Sequence, residues 1–167
     1  MKRLSIVAAL VTSACLSVTA VYAEPVNVPV TATIEDSPCT IKGPASVDLG
    51  SITKNTFAAK GSKSNEADFT IDYSNCPVSA KNALIQFQGV RDSTDPTLFK
   101  VSGTATGLAM QITDNGVKVE YSTSEFISKK LTGTNMQIPF KVSYVSVSPL
   151  VSAGSATSTI SYVASYN

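Results

Sequence analysis

Few side chains in this chain could do chemistry, and their types exclude the common nucleophilic mechanisms. The 167 residues contain no histidine and three cysteines. The usual Ser-His and Cys-His pairs, in which an imidazole takes the proton of the nucleophile, are therefore absent. We predict no catalytic residue, no metal site and no cofactor.

Carboxylates are the remaining candidates for acid–base work. They gather in residues 92–95 and 120–125, in polar turns or along strands, where a solvated face accounts for them. Neither residues 30–33 nor the Gly-containing stretch 103–107 has the lysine or the spacing of a phosphate-binding loop. The sequence therefore predicts a protein that is not an enzyme.

Residues 1–23 have the pattern of a secretory signal peptide. A cationic start is followed by an apolar run over residues 4–14 and by the small-x-small site Val21-Tyr22-Ala23. The apolar run is too short to span a membrane. The alternative, a lipoprotein motif ending at Cys15, has Thr12 at a position where that motif usually has leucine. We expect an exported chain that begins at Glu24.

Removal of the signal peptide changes the charge balance and leaves two cysteines in the mature chain. Loss of Lys2 and Arg3 reduces the 13 basic residues to 11, against 12 acidic ones, so no basic patch points to nucleic acid or to an anionic membrane. Cys39 and Cys76 remain, and an even pair in an exported protein predicts a disulfide. A structural role is favoured over metal or redox chemistry because the chain has no histidine and no CxxC.

Short alternating runs between turn signals indicate a single all-β sandwich domain. Asn115-Gly116 predicts a hairpin turn because both residues accept positive φ. Strands are predicted at residues 28–34, 45–49, 68–73, 83–89, 108–113, 137–146 and 158–166. Residues 54–65 are predicted to be a polar connection.

The first and last predicted strands each have one apolar face, because side chains alternate between the two sides of a strand. Burial of the first apolar face could contribute on the order of 10 kcal/mol as an upper bound. The first face consists of Val26, Val28, Val30, Ala32 and Ile34, and the last of Ile160, Tyr162, Ala164 and Tyr166.

An apolar strand left at a sheet edge invites pairing through its free N–H and C=O groups. The two terminal strands could pair within one molecule and close the sandwich, or each could pair with another molecule by strand addition. Periodicity leaves both arrangements open.

Several landmarks together resemble the structural subunits of bacterial chaperone–usher pili. The chain has Tyr166 as its last residue but one, and Gly154 is the fourteenth residue counting back from Asn167. The other landmarks are TATIEDSPC at 31–39, VDLG at 47–50, FTIDYSNC at 69–76 and GTATGLAMQITD at 103–114. In order and spacing they cover nearly all of residues 24–167.

The resemblance implies an incomplete immunoglobulin-like β-sandwich that lacks its final strand. It divides the chain into a signal peptide (1–23), an N-terminal donor-strand extension (24–36) and a pilin domain (37–167). The missing strand would come first from a periplasmic pilus chaperone and then, at the outer-membrane usher, from the extension of a neighbouring subunit. The product would be a head-to-tail fimbria on the cell surface that contributes to adhesion, through a host receptor the sequence does not identify.

The same resemblance assigns roles to the two ends of the chain. Val26, Val28, Val30, Ala32 and Ile34 would fill the groove of a neighbour. The groove and chaperone-binding residues would be Gly154, Ile160, Tyr162, Ala164, Tyr166 and Asn167, with basic residues of the chaperone on the terminal carboxylate. The alternatives are a self-complete immunoglobulin-like binding module and a fimbrial adhesin, although an adhesin of this type carries a further receptor domain.

Two residues depart from the family pattern in the extension. Ala32 stands where a glycine is usual, seven residues before Cys39. Pro29 has no N–H group, which removes a ladder hydrogen bond from a paired strand. We therefore expect the extension to form hydrogen bonds over only part of its length.

Overall fold

The computed structural model describes residues 31–33, 37–121 and 125–167. Two compact units are distinguished, residues 1–34 and 35–167, and the second contains all the regular structure described here. Its strands are β1 (Thr40–Lys42), β2 (Ala67–Ser74), β3 (Asn82–Gly89), β4 (Phe99–Lys100), β5 (Leu108–Asp114), β6 (Val117–Val119), β7 (Ile127–Lys130), β8 (Met136–Ser146) and β9 (Ile160–Tyr166). One short 3-10 helix, Lys54–Phe57, precedes β2. No helix in the described ranges is long and apolar enough to cross a membrane.

The strands form two antiparallel sheets that pack face to face. The larger sheet has the order β1-β2-β8-β5-β4, with β6 also beside β5, and the smaller has the order β7-β3-β9. Alternate residues point inward, so that Ile71 and Tyr73 of β2 and Ile138 and Phe140 of β8 are almost completely buried. This is the all-β sandwich that the alternating pattern predicts.

Three phenyl rings join the two sheets at the centre of the core. Phe87 of β3 meets Phe140 of β8 edge to face, with 5.0 Å between ring centroids. Phe69 of β2 lies 6.0 Å from Phe87 and 5.6 Å from Phe140. Aromatic pairs in such arrangements contribute about 0.5–1.5 kcal/mol each beyond the area they bury.

Five predicted strands are confirmed to within two residues at each end, and two predictions turn out differently. Residues 45–49 contain no strand. The predicted strand at 28–34 lies mostly outside the described residues, and its described part, 31–33, is exposed and irregular. The sequence analysis missed four short strands, β1, β4, β6 and β7, because two to four residues are too few to show a period.

The predicted hairpin and disulfide are both confirmed. Asn115 and Gly116 have φ of 48° and 80°, and β5 and β6 pair around them. Cys39 and Cys76 form a disulfide across 37 residues of chain. The bond joins the start of β1 to the end of β2, where Thr40 pairs with Ser74.

The polar connection at 54–65 contributes more to the fold than its composition suggests. Phe57 is buried in the core. Further along, Gly61 N donates to Ser146 O at 2.8 Å and Ser64 N to Tyr144 O at 2.9 Å. The connection therefore continues the pairing with β8 beyond the start of β2.

A pair of facing loops, residues 102–107 and 152–157, depends on Gly154 for close approach. Ser102 and Thr157 exchange backbone hydrogen bonds of 2.7 and 2.8 Å, and Ala105 N donates to Ser155 O at 3.0 Å. A methyl group on Gly154 would overlap Thr104 Oγ1 and lie 2.5 Å from Ala105 N.

We therefore expect Gly154→Ala to destabilise the domain by about 1–3 kcal/mol, because the added methyl meets backbone that has no room to move. Ala153→Ser, at the exposed neighbouring position, is the matched control and should be close to neutral. Denaturant unfolding of both variants checks this. Equal stability of the two variants would show that the loops can separate at little cost.

Tyr73 links the two sheets by hydrogen bonds. Its hydroxyl lies 3.3 Å from Leu84 O and 3.1 Å from Ser165 O, which belong to β3 and β9. Burial, with a smaller electrostatic contribution from Tyr162, raises the pKa of Tyr73 to about 12. Burial also raises the pKa of Tyr144.

The raised pKa predicts a loss of stability in alkali. The folded state holds the Tyr73 proton more tightly than the unfolded state, whose pKa is about 10. The stabilisation is therefore complete below pH 10 and is lost as the pH rises towards 12. We expect Tyr73→Phe to cost about 1–2 kcal/mol at pH 7, where two carbonyls lose a donor, and to make the fall between pH 10 and 12 shallower. Unfolding midpoints at several pH values check this, and an unchanged alkaline slope would contradict it.

Candidate functional site: an open groove between the sheets

Two of the carboxylates that the sequence analysis considered for acid–base work, Asp92 and Asp95, accept hydrogen bonds from neighbouring residues of the same turn. No group of three His, Cys, Asp or Glu side chains in those ranges could hold a metal ion. Asp92 accepts hydrogen bonds from the backbone of Thr94 and Asp95 at 2.8 and 3.0 Å. The hydroxyl of Thr97, 2.6 Å from Asp95, lowers the pKa of that carboxyl. These are turn contacts.

An apolar groove of about 500 Å³ opens between the two sheets. Its floor is the core itself, and its two walls come from chain segments far apart in sequence. The floor residues are Phe69, Phe87, Met110, Ile112, Val142 and Tyr144; the walls are residues 44–50 on one side and 156–160 with Tyr162 on the other.

One wall is provided by β9, an edge strand. Within the described part of the chain its only strand partner is β3, in a register that sets Tyr166 opposite Ala83 and Ile160 opposite Gly89. The inward residues Ile160, Tyr162, Ala164 and Tyr166 pack against the core, and Val163 on the other face is 43% exposed. The alternation predicted for this strand is therefore observed.

The ladder register also fixes where the backbone groups of β9 point. Asn82 and Asn167 exchange both N–H···O bonds, each 3.1 Å. Hydrogen-bonded and non-hydrogen-bonded pairs alternate along an antiparallel ladder, so Ser165, Val163 and Ser161 bond to β3. It follows that the N–H and C=O groups of the inward residues point to the open edge.

The opposite wall, residues 44–50, is irregular. Within this segment, Gly50 N donates a hydrogen bond to Asp48 Oδ1, two residues earlier, at 2.8 Å. A second cavity of about 510 Å³, lined by residues 42–44, 46–48 and 67–70 together with Asp72, lies along the same segment. The segment Ala45 to Leu49 has the alternation of a strand, but in the described residues it has no neighbour with which to form one.

The remaining site residues predicted from sequence lie in different places. Gly154 falls outside β9 and contacts the 104–105 loop. Asn167 accepts hydrogen bonds from the amides of Lys81 and Asn82 at its main-chain oxygen. Val26, Val28, Val30 and Ile34 lie outside the described residues, and Ala32 is exposed.

Sequence analysis identified β9 but missed the floor of the groove and the role of Gly43. A methyl group on Gly43 would lie 2.6 Å from the Tyr162 hydroxyl, so this ring comes close to the backbone just before the opposite wall begins. Nothing in the local pattern around Gly43 predicts a contact with a residue more than a hundred positions away.

Comparison with solved structures supports this architecture. A crystal structure of the P pilus rod subunit PapA aligns over its whole length with 78% of this chain, at a TM-score of 0.67 and 20% identity. A chaperone–usher pilus structure that addresses rod uncoiling covers 89% of this chain and 99% of its own, at a TM-score of 0.68 and 20% identity. The fold is thus the incomplete immunoglobulin-like sandwich of such subunits.

Sequence comparison identifies the family. Long polar fimbria protein A of Salmonella typhimurium is 31% identical over 144 residues, which cover 81% of this chain and 80% of the relative. The probable major fimbrial subunit LpfA of Escherichia coli O157:H7 is 32% identical and covers 68% of this chain and 80% of its own. The family model described as "Fimbrial protein" matches residues 28–167. The chain belongs to the fimbrial protein family.

Proposed function

We propose that this protein is a non-catalytic structural subunit of a chaperone–usher fimbria and that it polymerises by strand donation into the groove beside β9. The observation that carries the proposal is the coincidence of an open hydrogen-bonding edge with an open apolar floor. One inserted strand would satisfy the backbone of β9 and cover Phe69, Phe87 and Met110. Strand addition of this kind takes its affinity from main-chain hydrogen bonds and its specificity from alternate side-chain pockets.

The N-terminal extension, residues 24–36, is the proposed donor to a neighbouring copy. Its face of three valines, one alanine and one isoleucine is small and β-branched, which suits a strand lying over aromatic rings. Burial of that face supplies up to about 10 kcal/mol before the cost of ordering the segment. Pro29 would interrupt the hydrogen bonding at one position, and Ala32 fills slightly more space than the family glycine.

Before assembly, the groove would be occupied by a strand of a periplasmic pilus chaperone, which would also bind Asn167 through basic residues. The outer-membrane usher would then exchange that strand for the extension of the next subunit. This route takes the chain through the periplasm to the cell surface, where the fimbria contributes to adhesion. A bound chaperone strand would also protect the exposed edge of β9, because an uncovered sheet edge promotes aggregation.

The first test is the behaviour of the mature chain, residues 24–167. We expect it to be oligomeric or unstable alone, and to become a soluble 1:1 complex when it is co-expressed with a pilus chaperone. Size-exclusion chromatography with light scattering measures this. A stable monomer that is unaffected by removal of residues 24–33 would instead support a self-complete binding module.

The second test separates the donor end from the acceptor end. We expect Val28→Asp and Val30→Asp to prevent incorporation into fibres and to leave chaperone binding intact, because a charge cannot enter an apolar groove unpaired. Thr31→Asp, on the opposite face of the extension, is the matched control and should still assemble.

At the acceptor end, Tyr166→Ala should weaken the chaperone complex, because it removes an inward residue of β9. Pull-down with the chaperone and electron microscopy of fibres report the two steps separately. If the Val28 and Tyr166 variants had the same defect, the assignment of donor and acceptor ends would be wrong.

A further inference from the structure

We propose that the ion pair between Lys129 and Asp114 closes the second open edge of the smaller sheet to strand addition and thereby directs a donor strand to β9. The inference rests on the proposed function, to which it adds a pair of residues that determines where a strand can be added. It is carried by the register of β7, by the geometry of the ion pair and by the charges around a second opening of the sandwich.

The smaller sheet has two edges among the described residues. Its order is β7-β3-β9, so β7 lies at the edge opposite β9 and has β3 as its described partner. Leu131 N donates to Lys81 O at 2.8 Å. Because bonded and non-bonded positions alternate along an antiparallel ladder, the backbone of Lys129 bonds to β3, and the backbone groups of Ser128 and Lys130 point away from it. An uncovered edge of this kind can pair with another strand.

The side chain of Lys129 points into the sandwich. Directly opposite residues of an antiparallel pair lie on the same face of the sheet, and Lys129 is opposite Ala83, which is completely buried. Along β7, Ile127 and Lys129 are partly buried, whereas Ser128 and Lys130 are exposed. β7 therefore has a cation at an inward position, whereas the inward residues of β9 are all aliphatic or aromatic.

Asp114 holds this cation between the two sheets. The Lys129 ammonium donates to Oδ1 of Asp114 at 2.8 Å and lies 2.6 Å from Oδ2. Asp114 is the last residue of β5 in the larger sheet, so the ion pair bridges the sheets along the β7 edge. Both side chains retain contact with water, with 26% of the Lys129 side chain and 18% of the Asp114 side chain exposed. A strand added at β7 would remove that water, and the attraction within a desolvated ion pair often fails to compensate for this loss.

A second opening between the sheets lies beside the ion pair, and it differs in charge from the groove at β9. It has a volume of about 290 Å³ and is lined by residues 85–87, 114, 117–120 and 125–127. Among the described residues that line the larger groove, only Asp48 is charged. The apolar face of the extension therefore matches the groove at β9 and would meet charges at β7. The charged side chains that line the second opening are Asp114, Lys118, Glu120 and Glu125.

Removal of both charges should therefore create a second acceptor edge. Lys129→Met combined with Asp114→Asn keeps the sizes of the side chains similar and leaves no unpaired charge between the sheets. We expect the native chain to bind one synthetic peptide of residues 24–36 and the double variant to bind two. The second peptide should bind the double variant about a hundredfold more tightly than it binds the native chain. Lys130→Met removes a charge from the outer face of the same strand, so this matched control should bind one peptide.

The test starts from each mature chain in complex with its pilus chaperone, to which the labelled peptide is added. Native mass spectrometry counts the peptides bound to each released subunit over a range of peptide concentrations. Amide exchange then locates the second peptide, which should protect the N–H groups of Ser128 and Lys130 in the double variant alone.

A second pair of substitutions covers the case in which the first double variant gives no chaperone complex. Lys129→Gln with Asp114→Asn retains a neutral hydrogen bond between the sheets and removes both charges. It should also bind a second peptide, because two amides lose less than two ions when water is removed.

The possible failures are distinguishable. A single bound peptide in both double variants would overturn the role of the ion pair and leave strand donation into the β9 groove standing. A second peptide that bound the native chain or Lys130→Met as tightly as the double variants would also overturn it, because the ion pair would then not select the edge. Absence of peptide from every chain, including the native one, would contradict the proposed function and, with it, the inference.

Discussion

The edge of β9 that has no strand partner among the described residues is the constraint on which the rest of this structure depends. A backbone N–H or C=O group that loses water without gaining a partner costs free energy comparable to a lost hydrogen bond. In β9 the inward residues Ile160, Tyr162, Ala164 and Tyr166 are also the residues whose backbone groups face the open edge. One added strand would give these backbone groups hydrogen-bond partners and would also cover the apolar floor of the groove.

The remainder of the domain holds this incomplete edge in position. The Tyr73 hydroxyl bonds to carbonyls of β3 and β9, so the larger sheet fixes the position of the smaller one. The phenyl cluster around Phe87 fills the centre, and the Cys39–Cys76 disulfide fixes β1 beside β2. These contacts hold together the two sheets between which the groove lies.

Sequence reasoning found what depends on local periodicity. The alternation from Ile160 to Tyr166 identified both the strand and its inward face, and Asn115-Gly116 identified its turn. Residues 45–49 show the limit of that reasoning, because Ala45, Val47 and Leu49 alternate correctly and yet form no strand. A strand needs a neighbour to pair with, and no described strand lies along that segment.

Contacts between segments that are distant in sequence cannot be predicted from local sequence patterns. Gly43 lies 119 positions before Tyr162, and Gly154 packs against residues 104–105. At both positions a residue without a side chain is required because a distant segment of the chain passes close by. The family resemblance predicts that Gly154 belongs to the chaperone-binding residues, and the structure shows that it packs against residues 104–105. The floor of the groove could not be predicted from local patterns either, since its residues come from four strands, β2, β3, β5 and β8.

Residue-resolved amide exchange along β9 tests the central claim most directly. It would be measured on dilute mature chain freshly released from its pilus chaperone, before and after addition of the peptide 24–36. Before addition we expect the amides of Ile160, Tyr162 and Ala164 to exchange rapidly and those of Ser161, Val163 and Ser165 to be protected by β3. The peptide should then protect the first set and leave the second unchanged. Uniform protection before addition, or no change on addition, would contradict an edge that another chain completes.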